Sequence, residues 1–490
     1  MYINNINFAA MENAWILLAT LVVYFLILLG ISVWLGNRRD NDAFFSGNRQ
    51  SRWWLVSIGM IGASVSGVSF VSVPGMVGAN HYLYMQTVMG FFVGYLLIAR
   101  ILLPLYYRLE NPSIYAYLME RFGSNAQRTG SAFFLLSKGL GAAARVYIVA
   151  LLLHTLVFQA FSIPFEVGIV LLMGMIWLYT RHSGIKTLVW TDAFQTLIMV
   201  AALVLLIVSV GKALDGNWSE TFRQVEQSPW FQWFEWKDWH SKQHVGKQFF
   251  SGIFIALVMT GLDQDMIQKN RSIPRLKDAQ TNMYVYGFAF IPLNFLFLFL
   301  GTLILLYAQQ EQIVLPQIGD EILPMLATEG SLGFLPVWLF TLSLVAASFS
   351  SADSSMTALT TSFCIDIAKR PNDVRFRKRV HLGVVFFFIV AILAFRWVNN
   401  PSIIDLIYVL ASYTYGPLLG LFAFGLLSRR HVHDRSIPYI AILSPLICMG
   451  LQFFFKQCWQ YEMGYELLML NGALTFFGLF IQSKKQSYGN

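Results

Sequence analysis

The stretch GMIGASVSGVSFVSVPG, residues 59–75, lies in an apolar run of helix length yet makes a poor continuous helix. Three glycines and four serines precede or surround the closing Pro74-Gly75 pair. Glycine costs a helix interior about 1 kcal/mol relative to alanine, and proline about 3. Two readings fit such a segment. A helix broken in mid-membrane frees carbonyl oxygens for a sodium ion and amides for a solute. Small residues also let membrane helices pack closely with no break at all.

Around this stretch the chain has the make-up of a membrane protein. Of its 490 residues, 56% are hydrophobic and 12% charged, against about 25% charged in an average soluble domain. Thirteen mostly apolar runs recur: 14–36, 54–78, 84–107, 131–157, 162–180, 187–211, 248–267, 281–308, 335–365, 380–395, 402–427, 436–455 and 465–482. Each suits a crossing of roughly 30 Å of hydrocarbon, and unpaired backbone is excluded from lipid, so the runs are helices. The expected fold class is an all-α integral membrane protein of about 13 transmembrane helices. The first run lacks an A-x-A cleavage signature and reads as a retained helix. The longest loop, 212–247, is too short for a soluble domain; its SPWFQWFEWKDWH (228–240) reads as an interfacial aromatic belt or as an outer gate. Cys364, Cys448 and Cys458 show no paired or metal-like spacing.

Charge placement sets an expected orientation. With the N terminus outside, the cytoplasmic segments and the C-terminal tail hold 24 of the 34 Lys and Arg, among them Arg38, Arg39, Lys269, Arg271 and Lys485. Seven face outside, and Arg100, Lys138 and Arg145 lie in or at the edge of helices. That asymmetry is the positive-inside pattern. The net charge of +8 is then a topology signal and implies no nucleic-acid partner; the bilayer is the partner it implies, and no obligate protein partner is indicated.

Polar residues within apolar runs are costly and default to function. Asp192, in VWTDAFQ (189–195), stands near the cytoplasmic end of the sixth run, where a cap or surface charge is the ordinary explanation. Arg145 lies midway along the fourth run, too far in to snorkel. It needs a carboxylate, from Asp192, Asp353 or a ligand. In AASFSSADSSMTALTT (346–361), helical spacing sets Ser350, Ser354, Thr357 and Thr361 on one face with Asp353 beside them. Hydroxyls alone can bond back to the carbonyl one turn earlier; a carboxylate among them points to a hard-oxygen cation site.

Five segments in order resemble the sodium:solute symporter family. They are DAFFSGNRQSRWW (42–54), FVSVPG (70–75), GIKTLVWTDAFQ (184–195), DQDMIQKNRSIPRLKDAQTN (263–282) and AASFSS (346–351) with CIDI (364–367). The resemblance implies a LeuT-type fold: a leading helix and loop over 1–53, inverted five-helix repeats over 54–211 and 248–427 about the outer loop 212–247, and two trailing helices with a tail over 428–490. The first helix of each repeat is then broken, at 59–75 and at FIALVMTGLDQ (254–264). It also implies a sodium site from the carbonyls of Gly62, Val65 and Ala347 and the hydroxyls of Ser350 and Ser351. A second cation site in some members maps onto Asp192, Ser350, Asp353 and Ser354; Asp353 departs from the family's serine.

Where sugar carriers of the family place an asparagine and a lysine, this chain has apolar residues such as Ala256 and Phe290. Arg145 resembles the arginine with which sialic-acid carriers hold a carboxylate, and Ser66, Ser69 and Gln86 fall where those carriers line the pocket, with Tyr84 or Thr87 able to hold the place of Gln86. The implied activity is sodium-coupled import of a small, carboxylate-bearing solute by alternating access, with Na+ as the coupling ion. The resemblance leaves open a proton-coupled carrier, kept alive by Asp353, and a solute sensor. No H-E-x-x-H or G-x-S-x-G stretch suggests an enzyme.

Overall fold

A computed structural model describes residues 8–35, 41–109, 111–181, 184–214, 217–328, 333–398, 403–461 and 463–484; Arg38, Arg39 and Lys485 lie outside them. The described residues form helices joined by short connections. The leading helix α1 spans Phe8–Leu35. Two half-helices follow, α2 (Trp53–Ser64) and α3 (Gly67–Gly75), then α4 (Tyr84–Leu97), α5 (Ser124–Leu156), α6 (Phe165–Thr180) and α7 (Gly184–Ala213). A second pair of half-helices, α8 (Val245–Ala256) and α9 (Gln264–Arg271), precedes α10 (Leu276–Gln310), α11 (Phe334–Ser362), α12 (Val374–Val398) and α13 (Ile403–Leu427). The chain continues through α14 (Ile437–Trp459) and α15 (Leu467–Gln482).

Among the described residues, nine helices are long and apolar enough to cross a bilayer, and up to eleven if each bent pair counts as one span. The expected thirteen would add α6 and α15, apolar helices of 16 residues each, about 24 Å at 1.5 Å per residue, which are shorter than the helices in that count.

Both readings of residues 59–75 hold, at different positions. Val65 (ψ 102°) and Ser66 (ψ 169°) are extended, and α2 and α3 meet at 61°. Ser69 N–H donates to the Ser66 carbonyl at 2.9 Å, and among the described residues no backbone amide donates to the carbonyl of Val65. The glycines serve close packing beside this break. A Cβ on Gly62 would lie 2.0 Å from Thr196 Oγ1 of α7, and one on Gly67 would lie 2.4 Å from Ser348 Oγ of α11. The second pair bends by 63° at Leu262–Asp263. There Tyr106 and Tyr115 donate to the freed carbonyls of Gly261 (2.8 Å) and Leu262 (2.9 Å), meeting the demand that buried backbone be paired.

Helix α4 packs along α8, and α7 lies between α2 and α11. The hydroxyl-rich α11 is the most enclosed of those nine described helices, 78% buried over its most apolar window, whereas α1 and α14 are 28% and 22% buried. Enclosure by protein is what lets α11 carry Asp353 and its hydroxyls through the membrane. Four charged side chains that the sequence assigns to cytoplasmic segments or helix edges are instead buried: Lys269, Arg271, Arg377 and Lys138. Arg271 Nη2 donates to the Leu109 carbonyl at 2.8 Å.

Candidate solute cavity and ion site

A cavity opens at the first break and encloses about 1070 Å³ counting its mouth. Its walls come from Ala63–Ser66, Val68 and Ser69 around the break and from Tyr84, Phe91 and Tyr95 of α4. Helices α8 and α10 add Ala256, Tyr286, Phe290 and Asn294, and the π-helical turn that follows α8, Leu257–Gly261, adds Thr260. Tyr95 and Tyr286 stand 4.6 Å apart by ring centroids, and Ser64 Oγ lies 2.6 Å from Tyr286 OH. The wall is thus aromatic with a few fixed polar groups, the usual composition of a small-molecule pocket.

The far wall is one face of α5. Lys138 and Arg145 stand seven residues apart, two helical turns, with Gly141 and Ala142 between them, and all four line the cavity. The two cations differ in what holds them. Lys138 Nζ pairs with Asp263 Oδ2 at 3.1 Å and Asp265 Oδ2 at 2.9 Å, and Tyr415 OH donates to Asp263 Oδ2 at 3.0 Å. Arg145 forms no ion pair with a carboxylate among the described residues.

The carboxylates weighed as partners for Arg145 are engaged elsewhere. Asp192, fully buried in α7, accepts from Ser350 Oγ at 2.7 Å through Oδ1. Its Oδ2 accepts from Ser354 Oγ at 3.1 Å and from the Lys269 ammonium at 2.8 Å. Asp353 accepts from Tyr179 OH at 2.8 Å, and its Oδ1 has no partner among the described residues. The cap reading of Asp192 does not hold, since it lies two turns inside α7.

The structure therefore brings Asp192, Ser350 and Ser354 together as expected, but a protein cation stands among them. Lys269 Nζ also donates to Ser354 Oγ at 2.7 Å and lies 3.4 Å from Asp265 Oδ1. Asp353 is buried on the same helix but turned to Tyr179 instead of Lys269. The three residues expected at a second cation site thus lie close together on α7 and α11, with the Lys269 ammonium in contact with two of them. Of the sodium-site residues, Gly62 and Val65 lie at and before the break, and Ala347, Ser350 and Ser351 are buried on α11, which packs against α2 and α3.

Gln86 is placed apart from the other expected pocket residues. It is buried and absent from the cavity wall, with its amide spent largely on the 228–244 loop. Nε2 donates to the carbonyls of Leu83 (3.1 Å) and Gln243 (2.9 Å), and Oε1 accepts from Glu235 N–H at 3.1 Å. Tyr84, the alternative at that place, does line the cavity; so do Ser66, Ser69 and Arg145. The loop that Gln86 pins is part packed, part exposed: Trp233 stacks on Phe295 at 5.8 Å, while Trp236 and Trp239 are exposed.

Sequence reading missed Lys138, Asp263, Asp265 and Lys269 as one group. The i, i+4 spacing of Asp265 and Lys269 was the available signal. It lay at the edge of an apolar run, where charges ordinarily mark a loop.

Two bent helix pairs, a cavity at one bend and ionisable groups paired inside the membrane define a secondary carrier. Residues 44–434 match the sodium:solute symporter family, and the chain belongs to that family. It is 24% identical over 458 residues to the sodium/sialic acid symporter SiaT of Proteus mirabilis, covering 89% of this chain and 90% of that protein. It is 25% identical over 270 residues to the sodium-coupled monocarboxylate transporter 2 of Bos taurus, covering 53% of this chain and 42% of that protein. A solved structure of a Na+-coupled sialic acid symporter in a substrate-bound outward-open state superposes with a TM-score of 0.81 at 20% identity, covering 96% of this chain and 99% of that one. This chain is accordingly a sodium-coupled symporter and not an enzyme.

Proposed function

We propose that the chain imports a small carboxylate-bearing solute through the cavity at the first helix break, driven by sodium. The observation that carries this reading is Arg145. It is a cation on the cavity wall with no carboxylate partner among the described residues, beside a lysine that has two. A guanidinium so placed matches a carboxylate in a planar, two-bond geometry. Ser66 and Ser69 supply hydroxyls to the cavity, and Ala256 and Phe290 add apolar surface to it. The relatives named for sialic acid and monocarboxylates have in common a carboxylated solute.

Sodium in this reading is held by the carbonyls of Gly62, Val65 and Ala347 with the hydroxyls of Ser350 and Ser351. The Val65 carbonyl, left without a backbone donor, supports that assignment. An ion there ties α2 to α11 and shapes the cavity that Val65 and Ser66 line. Ion and solute then raise each other's affinity by the same factor. Alternating access follows from rocking the repeats about 54–211 and 248–427, with release beside α9. The N terminus lies outside and the tail inside, as the basic residues are distributed.

The test is the melting temperature of the purified protein in sodium or potassium, with a panel of carboxylated solutes, for the parent, Arg145→Gln and Ser351→Ala. A ligand that binds only the folded state adds about 2.7 kcal/mol at a hundredfold excess over Kd. An acid should stabilise the parent only with sodium present, Arg145→Gln should lose the acid's effect and keep sodium's, and Ser351→Ala should lose both. Equal stabilisation of the parent and Arg145→Gln by every acid tested would remove the arginine from the site.

A further inference from the structure

We propose that the solute is an aromatic carboxylate, an acid whose body is a flat and largely unsubstituted ring, in preference to a polyhydroxylated acid. The inference rests on the carboxylate reading of Arg145 above and names the class of acid that the same cavity takes.

One side of the cavity is a connected set of rings. Tyr84, Phe91 and Tyr95 recur along one face of α4 at steps of seven and four, and Tyr286 and Phe290 stand one turn apart on α10. All five line the cavity. Phe290 is the hub. By centroids its ring lies 6.1 Å from Phe91, 6.1 Å from Tyr95 and 5.8 Å from Tyr286, and Phe91 lies 6.4 Å from Tyr84. The backbone holds this set in place as well. A Cβ on Gly287 would lie 3.0 Å from Tyr95 Cδ2, so the bare glycine lets the Tyr95 ring close on α10.

The hydroxyls of Tyr95 and Tyr286 are engaged with one another. Tyr286 OH donates to Tyr95 OH at 3.1 Å and lies 2.6 Å from Ser64 Oγ. Other polar side chains around the cavity are spent in the same way. Asn294 Nδ2 donates to the Phe290 carbonyl at 2.7 Å. Asp263 accepts from the Asp265 amide at 2.9 Å and from Tyr415 OH at 3.0 Å, and Lys138 is paired with two carboxylates. What is left to grip a solute is chiefly Arg145, with the hydroxyls of Ser66 and Ser69 near the break.

That inventory discriminates between acids. Each solute hydroxyl taken from water without a partner weakens binding roughly tenfold, and a sugar acid carries several. A ring has the opposite balance, since it gains by burying apolar surface and by offset or edge-on contact with neighbouring rings. A short arylalkanoate presents both groups the cavity calls for, a carboxylate for Arg145 and a ring for Phe91, Tyr95 and Phe290.

Isothermal titration of the purified full-length protein in sodium tests this, with 3-phenylpropionate, 3-phenylpropionamide, gluconate and sialic acid as ligands and Phe290→Ala and Phe91→Ala beside the parent. The parent should bind 3-phenylpropionate at least about tenfold more tightly than either hydroxylated acid or the amide. Either substitution should weaken 3-phenylpropionate about tenfold, each variant being checked for monodisperse elution so that a lost fold is not read as a lost contact. A parent that binds gluconate or sialic acid as tightly as 3-phenylpropionate overturns the proposal, and so does an unchanged affinity in both folded variants. If neither variant purifies folded, the preference of the parent decides alone. Binding of no acid at all, or equal binding of acid and amide, overturns it by a separate route, because the carboxylate reading of Arg145 then falls with it.

Discussion

Asp192→Asn isolates the buried ion pair that links α7 to α9. The substitution keeps the side-chain volume and strips the charge facing an ammonium that is 1% exposed, across a 2.8 Å contact. Breaking a buried pair by removing one partner costs about 3–5 kcal/mol, chiefly because the other charge stays buried. Lys269 keeps Ser354 at 2.7 Å and Asp265 at 3.4 Å, which puts the expected loss at the lower end, about 3 kcal/mol. The molecule contains its own control. Arg223 and Glu220 pair at 2.8 Å with side chains 63% and 40% exposed, so Glu220→Gln should cost at most about 1 kcal/mol. Unfolding titrations of the purified protein, run in potassium so that sodium binding does not contribute, measure both. Asp192→Asn combined with Lys269→Met removes both charges and should recover more than half of the loss, because no unpaired ion remains. The reasoning is refuted if Asp192→Asn costs no more than Glu220→Gln, or if the double substitution costs the sum of the singles.

Gly62→Ala places a methyl 2.0 Å from Thr196 Oγ1 and should cost about 1–3 kcal/mol by overpacking, with weaker stabilisation by sodium as the α2 carbonyls shift; Thr196→Ala, but not Thr196→Ser, should restore both in melting assays. Tyr179→Phe removes the hydroxyl bonded to Asp353, whose other oxygen has no partner among the described residues, and should destabilise by about 1–3 kcal/mol in the same assay. Gln86→Ala should speed proteolysis of the 228–244 loop, because it deletes bonds to Gln243 and Glu235, while leaving the sodium effect on melting intact. In that loop the amides of Lys237 and Asp238 donate to Glu235 and hold its carboxyl below the usual carboxylate range. A depressed carboxylate stabilises above its ordinary value and ceases to do so as pH falls through the depressed one. Hydrogen exchange at those two amides should therefore keep its protection through mildly acidic pH and lose it only in strong acid.

Composition and hydropathy were enough to read an all-α membrane protein, because the cost of unpaired backbone in lipid leaves few alternatives. The weakness of residues 59–75 as a helix was equally legible, since glycine and proline act through the backbone at their own positions. Arg145 stood out for the same local reason: a charge in mid-run is anomalous whatever surrounds it. What such arguments could not reach was pairing. Asp192 and Lys269 are 77 residues apart in number, and only the bend at Leu262–Asp263 turns the lysine inward to meet the aspartate and Ser354. Read along the chain, Lys269 is one more basic residue beside a loop. Gln86 likewise has the composition of a pocket residue and is claimed by a loop some 150 positions later. Sequence determined which segments enter the membrane and where their backbone fails. The tertiary structure alone decided which charges share an oxygen, because a 3 Å contact depends on the packing of separate helices and not on their spacing along the chain.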